Sequence, residues 1–376
     1  MKKRIALSLW TVFVAASFAQ AKPYLRVDWT WGPVLPTAQT ALGAVAIGQD
    51  IIIVGGTYWV DRRDGVPTKI WSDLVWKLNS DTKQWSSLPN YPIPLGEPLV
   101  IADGKTVWVI GGSSENKIIA ETYSLDLSLP APEWRPGPSL PAPRLAANGG
   151  ALNGMIYVAA GTVQSEGISQ PATDILRLDT HDLRRGWQYV TDVPGPKVDW
   201  RSGTIVGDTL YLFGGLVTPN PPKETPEEMV RVFHNEASLI PRSESCAFEI
   251  NSGRWKSLRP LPTAMGSGGC VAIDEDHLLL TGGIALAIPR NSLPDCKMRT
   301  YFSNECLLYN TKKDQYEKLT SSLRICVVGH GTAAINSMVY VIGGEDSTWK
   351  TRTDFIQVGR LRLCSPLGIG SSLNTN

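Results

Sequence analysis

The chain has 376 residues, 36 Lys and Arg against 35 Asp and Glu, and a formal net charge of +1. Its cations are spread along the sequence, which argues against a nucleic-acid surface or a polybasic membrane anchor and favours a small neutral or singly charged partner. Such a length ordinarily means two or three domains, but an internal repeat from about Trp29 to Leu363, with no low-complexity linker, reads as one closed domain.

Lys2, Lys3 and Arg4, the apolar run 5–18 and the triplet Ala19-Gln20-Ala21 read as an export signal over residues 1–21, cleaved after Ala21. The run is shorter than the roughly 20 apolar residues of a spanning helix, and no later segment approaches that length. The expectation is a soluble protein, periplasmic or secreted, with no membrane span. Export permits disulfides among the six cysteines. Cys296 and Cys306 flank a loop of the fifth repeat and are the most plausible pair, whereas Cys270 and Cys326, in strand patterns, read as buried thiols. No CxxC occurs to support a zinc ribbon.

Residues 22–363 carry six copies of a hydrophobic strand ending in a small-residue doublet: IIIVGG to Gly56, VWVIGG to Gly112, IYVAAG to Gly161, LYLFGG to Gly215, LLLTGG to Gly283 and VYVIGG to Gly344. Ahead of the doublet strand lies a small-residue strand, joined to it through a turn such as Asn153-Gly154 or Gly207-Asp208, which makes a hairpin. After the doublet come a variable loop and a strand with an acidic lead (Asp73, Asp174, Asp354). A strand opened by an aromatic follows, at Trp85, Trp134, Trp187 and Trp255, with Tyr316 in the fifth unit.

Four short antiparallel strands per unit, a diglycine after the second and an aromatic in the fourth make the kelch form of a β-propeller blade. The expected fold is an all-β, six-bladed propeller. The sixth unit ends after Leu363 without its aromatic strand, while the orphan strand 29–36 precedes the first doublet, so the N-terminal strand is expected to complete the last blade and close the ring. The fourth unit carries an insertion, 216–242, with a Pro-rich start and a short helical stretch around 227–235. It is either a lid over the channel or a decoration. Residues 364–376 read as a flexible tail.

Propellers place function at the channel mouth, so equivalent positions of the six units are informative. The residue after the doublet is Thr57, Ser113, Thr162, Leu216, Ile284 or Glu345. One carboxylate among these fits a general acid or base raised by desolvation, against the plainer reading of a solvated loop glutamate. Thirteen residues before the doublet lie Leu42, Pro98, Ala147, Arg201, Gly269 and His330, and the polar pair would begin the strand nearest the channel. Arg144 and Glu97 lie slightly upstream in their own units, and Arg352 lies close to Glu345. Arginines suit a forked pair with a carboxylate ligand, though each also fits a structural ion pair. The four histidines show no metal-ligand spacing, and neither metal nor organic cofactor is expected.

The run LPTAMG at 261–266 leading to LTGG at 280–283, then YFSN at 301–304 before Leu307-Leu308, is similar to consecutive blades of the kelch-type N-acetylneuraminate epimerases, exported bacterial sialic acid mutarotases built as six-bladed propellers. Gly344-Glu345 followed by Arg352-Thr353-Asp354 resembles the family's Gly-Glu segment, whose glutamate is the proposed proton acceptor. Here that blade is last, whereas the family's usual order places further blades after it. The resemblance is therefore to a cyclically permuted branch, an arrangement a closed ring tolerates. It implies interconversion of the α and β anomers of N-acetylneuraminate or a related sugar acid, with Glu345 as base and returning acid. Arg201, with Arg144 or Arg324, would hold the sugar carboxylate, Arg352 is a further substrate-binding candidate, and His330 would polarise a hydroxyl. The alternative is a non-catalytic kelch module that binds a protein or glycan, since fold alone does not separate the two. A sialidase finds no Asp-box repeats in its favour.

Overall fold

The computed structural model describes residues 24–61, 67–115, 117–165, 167–217, 239–287, 299–317, 319–346 and 352–364. The export signal, Cys296, the stretch 227–235 and the tail beyond Cys364 lie outside the described residues. Cys306 is a buried free thiol, as is Cys246, while Cys270 and Cys326 are free and half-buried.

Six four-stranded antiparallel sheets form the body. Their inner strands are Gly43–Ile47, Leu99–Asp103, Asn148–Leu152, Ser202–Val206, Gly269–Ala272 and Gly331–Ile335, taken here as blades 1 to 6. Each inner strand packs beside the next and the sixth beside the first, which closes the ring. Among the described residues the helical content is a single 3-10 turn, Leu183–Arg185, and no helix is long and apolar enough to cross a membrane.

The second strand of each blade explains the unbroken apolar runs of the repeat. In Asp50–Val54, Ile51 and Ile53 point into a cluster shared with blade 6, while Ile52 and Val54 point into one shared with blade 2. With a neighbouring blade against both faces, period-two alternation has no solvent side to mark, so Ile51 to Val54 are apolar without a break. Further clusters fill the other junctions in the same way.

The last blade is closed by the N-terminal strand, as expected, but with shifted bounds. The strand is Tyr24–Trp31, paired with Ile356–Cys364 from Tyr24 opposite Cys364 to Trp31 opposite Gln357. Val27 and Trp29 turn inward beside Leu279, Leu308 and Val339. The ladder stops where the sequence reaches Gly32-Pro33, because proline has no N–H to donate. The insertion of blade 4 opens and closes with a two-stranded ladder, Leu216–Val217 on Ile240–Pro241.

At the face where the second strands end, the backbone forms a belt around the axis. Ala41, Glu97, Ala146, Trp200, Ser267 and Gly329, one per blade, have φ of 56°, 57°, 50°, 48°, 56° and 63°. Five links join them: Ala41 N–H donates to Gly329, Glu97 to Ala41, Ala146 to Glu97, Ser267 to Trp200 and Gly329 to Ser267. Left-handed conformations at non-glycine residues carry strain of order 1–3 kcal/mol each, and here they persist because ring closure fixes them. Each inner strand starts two residues after its belt residue, so this belt sets the level at which candidate site residues meet the channel.

Candidate functional site

The residue after each doublet is held by the same backbone pairing in every blade. Thr57 pairs with Thr40, Ser113 with Gly96, Thr162 with Leu145, Leu216 with Asp199, Ile284 with Gly266 and Glu345 with Val328. Glu345 therefore occupies a fixed site of the fold. Its N–H donates to Val328 O at 2.9 Å and its carbonyl accepts from Val328 N–H at 3.0 Å. The glycines before it are required: Gly343 and Gly344 have φ of 61° and 109°, and a Cβ on Gly343 would come 2.5 Å from Gln39 O.

Glu345 is 8% exposed, and its Oε1 lies 2.8 Å from Arg352 Nη1. Its Oε2 is buried with no hydrogen-bond partner among the described residues. Burial pushes the carboxyl up to about 8; Arg352 and Lys69 pull it back, and Glu97 and Asp346 add to the rise. Lys69 lies 4.8 Å from the ring centre of Trp71, whose Nε1 donates to Ser113 Oγ at 3.4 Å. That hydroxyl in turn donates to Glu97 Oε2 at 3.4 Å. The hairpin Thr57–Asp61 with Pro67–Trp71 thus leans from blade 1 towards blade 2, and its Lys69 adds to the positive field at the glutamate. A buried carboxyl with a cation beside it and a free oxygen is equipped to move a proton at near-neutral pH.

The other expected residues divide. His330 and Arg201 immediately precede the inner strands of blades 6 and 4, as expected. In blade 5 a longer hairpin turn moves the equivalent position from Gly269 to Gly268, since Gly269 is already paired with Thr281. His330 is wedged between blades: Nε2 shares a 3.0 Å hydrogen bond with Thr281 Oγ1, and a Cβ on Gly269 would come 2.8 Å from that nitrogen. Burial pushes this imidazole down to about 4. The shift makes His330 an acid-labile element of the fold. A folded-state value below the ordinary 6.5 means that its neutral form stabilises above about pH 6.5 and that this contribution is lost as pH falls through about 4. His330→Gln is expected to lose about 3 kcal/mol less than the parent between pH 7 and pH 4, read by denaturant unfolding at each pH.

Arg201 is buried, donates to Pro196 O at 3.2 Å, and is held below its ordinary value by burial, with Cys246 and Glu244 pulling it back up. Arg144 does not join the cluster. It is 2% exposed, bonded to Asp174 Oδ1 at 2.6 Å and directed at the Ala160 carbonyl, so it ties the acidic lead of blade 3 to the loop beneath it. Asp174→Asn strands that buried charge and is expected to cost about 3 kcal/mol in denaturant unfolding while leaving the Glu345 cluster untouched. Arg324 also belongs elsewhere: its Nη1 donates to Trp29 O at 3.2 Å and its guanidinium lies 4.8 Å from the Trp31 ring, pinning the closing strand.

One carboxyl at this level went unread in the sequence. Asp199, half-buried, accepts from Thr162 Oγ1 at 2.6 Å, across the junction of blades 3 and 4, and burial pushes it up to about 6. Its column reads Thr40, Gly96, Leu145, Asp199, Gly266 and Val328. The comparison that singles out Glu345, made on the strand opposite, finds it.

No protein-family model matches the chain. It is 21% identical over 229 residues to N-acetylneuraminate epimerase 1 of Escherichia coli O6:H1, covering 55% of each chain. It is 22% identical over 240 residues to N-acetylneuraminate epimerase of Yersinia pestis, covering 58% of this chain and 56% of that one. It is 25% identical over 251 residues to Kelch-like protein terF of Aspergillus terreus, covering 64% of this chain and 48% of that one. The chain spans about half the length of the curated relatives it matches. The solved structure of YjhT superposes with a TM-score of 0.66 at 14% identity, over 89% of this chain and 99% of that one. The chain is thus a kelch-type β-propeller, and the resemblance to N-acetylneuraminate epimerases read from its motifs is borne out by the relatives it matches.

Proposed function

We propose that the chain is a sugar-acid mutarotase that interconverts the α and β anomers of N-acetylneuraminate, or a close relative, at the belt end of the channel. The observation that carries this reading is Glu345, buried, paired with Arg352 and raised by burial towards neutrality. The names of the epimerase relatives supply the substrate class. Ring opening takes a proton from the anomeric hydroxyl and returns one to the ring oxygen; after rotation about the new carbonyl carbon's bond, the reverse transfers reclose the ring on the other face. Oε2 of Glu345 is the oxygen available for both transfers, while Arg352 and Lys69 supply the positive field for the sugar carboxylate.

The test is anomer equilibration of freshly dissolved N-acetylneuraminate, followed by proton NMR with and without the protein. Acceleration in proportion to protein concentration supports the reading. An unchanged rate at micromolar protein overturns it, and leaves a kelch module that binds without catalysis.

A further inference from the structure

At the belt level the post-doublet residue of one blade meets the lead-in residue of the next at four of the six junctions, blades 1 with 2, 3 with 4, 4 with 5 and 5 with 6. A Cβ on Gly96 would come 2.7 Å from Thr57 Cγ2, and one on Gly266 would come 2.7 Å from Leu216 Cγ. Ile284 and Val328 share one apolar cluster. A carboxyl stands at the junctions of blades 3 with 4 and 6 with 1, and a threonine accompanies each. Thr162 donates to Asp199 at the former; at the latter, Thr40 donates to the carbonyl of Val328, the residue paired with Glu345. Those junctions lie three blades apart in a ring of six, hence on opposite sides of the axis.

We propose that Asp199 is the second polar anchor of the site and accepts hydrogen bonds from the hydroxylated end of the substrate, across the channel from the end that reacts at Glu345. The inference rests on the sugar-acid reading above and states how such a molecule lies. Arg352 and Lys69 stand on the Glu345 side, so the substrate carboxylate belongs there. In a 2-keto sugar acid the anomeric carbon carries that carboxylate, so the reacting centre is fixed to the same side. The polyol chain then projects away from it, and the polar acceptor it meets is Asp199. An ionised carboxylate is acceptor-only and suits vicinal hydroxyls. Thr162 occupies Oδ1, the residue is half-buried, and among the described residues no cation within salt-bridge distance pairs with it. Arg201, two residues on, is turned to the Pro196 carbonyl.

The experiment compares the parent, Asp199→Asn, Thr162→Val and Thr162→Ser on two sugars, N-acetylneuraminate and its analogue shortened in the glycerol tail by periodate cleavage and reduction. Asp199→Asn is expected to raise KM about tenfold for the full sugar with kcat within about twofold, and to leave the shortened sugar no weaker than with the parent. Thr162→Val shifts KM in the same direction, and Thr162→Ser restores it. An equal loss on both sugars makes Asp199 structural, and a fall in kcat at unchanged KM makes it a proton-transfer group; either result overturns the anchor. Titration calorimetry with the same sugars separates the two readings. A parent that binds without speeding exchange removes the mutarotase reading, and the effect of Asp199→Asn on affinity still decides the anchor. A parent that binds neither sugar removes both.

Discussion

Glu345→Gln is expected to lower catalysed anomer exchange by about 10²- to 10⁴-fold, the range that a positioned general acid–base group supplies, while the sugar still binds. Glutamine keeps the shape and the oxygen that accepts from Arg352 but takes no proton at Oε2, the atom that lacks a partner among the described residues. The loss belongs in kcat, because the interaction removed is made only along the reaction path. With the carboxyl pushed up to about 8 by burial, a base role predicts that the parent's kcat/KM climbs with pH and levels above about 8. A profile that falls above that point assigns the rate-limiting step to the protonated acid instead. The variant, measured by exchange NMR over the same range, should show neither limb. The same shift has a consequence for stability. A carboxyl raised from 4.5 favours the fold most below about pH 4.5, and that contribution is lost as pH rises through about 8, so the parent weakens over this window relative to Glu345→Gln.

The fold was legible because burial on both faces wrote itself into composition. Ile51 to Val54 are apolar without alternation for a reason that a six-fold ring supplies, and the doublets mark where each second strand ends. Glu345 was legible by the same periodicity, as an exception within a column. Arg144 and Arg324 were not, because an arginine's sequence position says nothing of which carboxylate or carbonyl captures it. Asp174 and the Trp29 carbonyl did so here. Lys69 and Trp71 sit on a hairpin whose reach towards blade 2 depends on a side-chain hydrogen bond between blades, which no local pattern encodes. Asp199 was legible in principle, since it breaks its own column as Glu345 does, but the column belongs to the strand across the ladder.

Removing residues 24–31 is expected to abolish cooperative folding, the largest stability effect foreseen for this chain. The strand pairs with the closing strand from Gln357 to Cys364 and places Val27 and Trp29 among Leu279, Leu308, Val339 and Val341. Losing a buried tryptophan alone costs about 3–5 kcal/mol, and a domain's whole stability is typically about 5–15 kcal/mol. Trp29→Ala should therefore lower stability by about that amount yet still melt cooperatively, whereas the deletion leaves an open edge beside a half-filled junction. Appending the same eight residues after Cys364 through a short linker, in the deletion background, tests whether sheet closure or chain position matters. Antiparallel pairing across a hairpin preserves the register in which Trp29 meets Gly359, so the permuted chain should recover both its thermal transition and any exchange activity. A deletion variant that melts within a few degrees of the parent, followed by circular dichroism, would mean that five complete blades already hold the belt, and that Glu345 owes its position to its own blade alone.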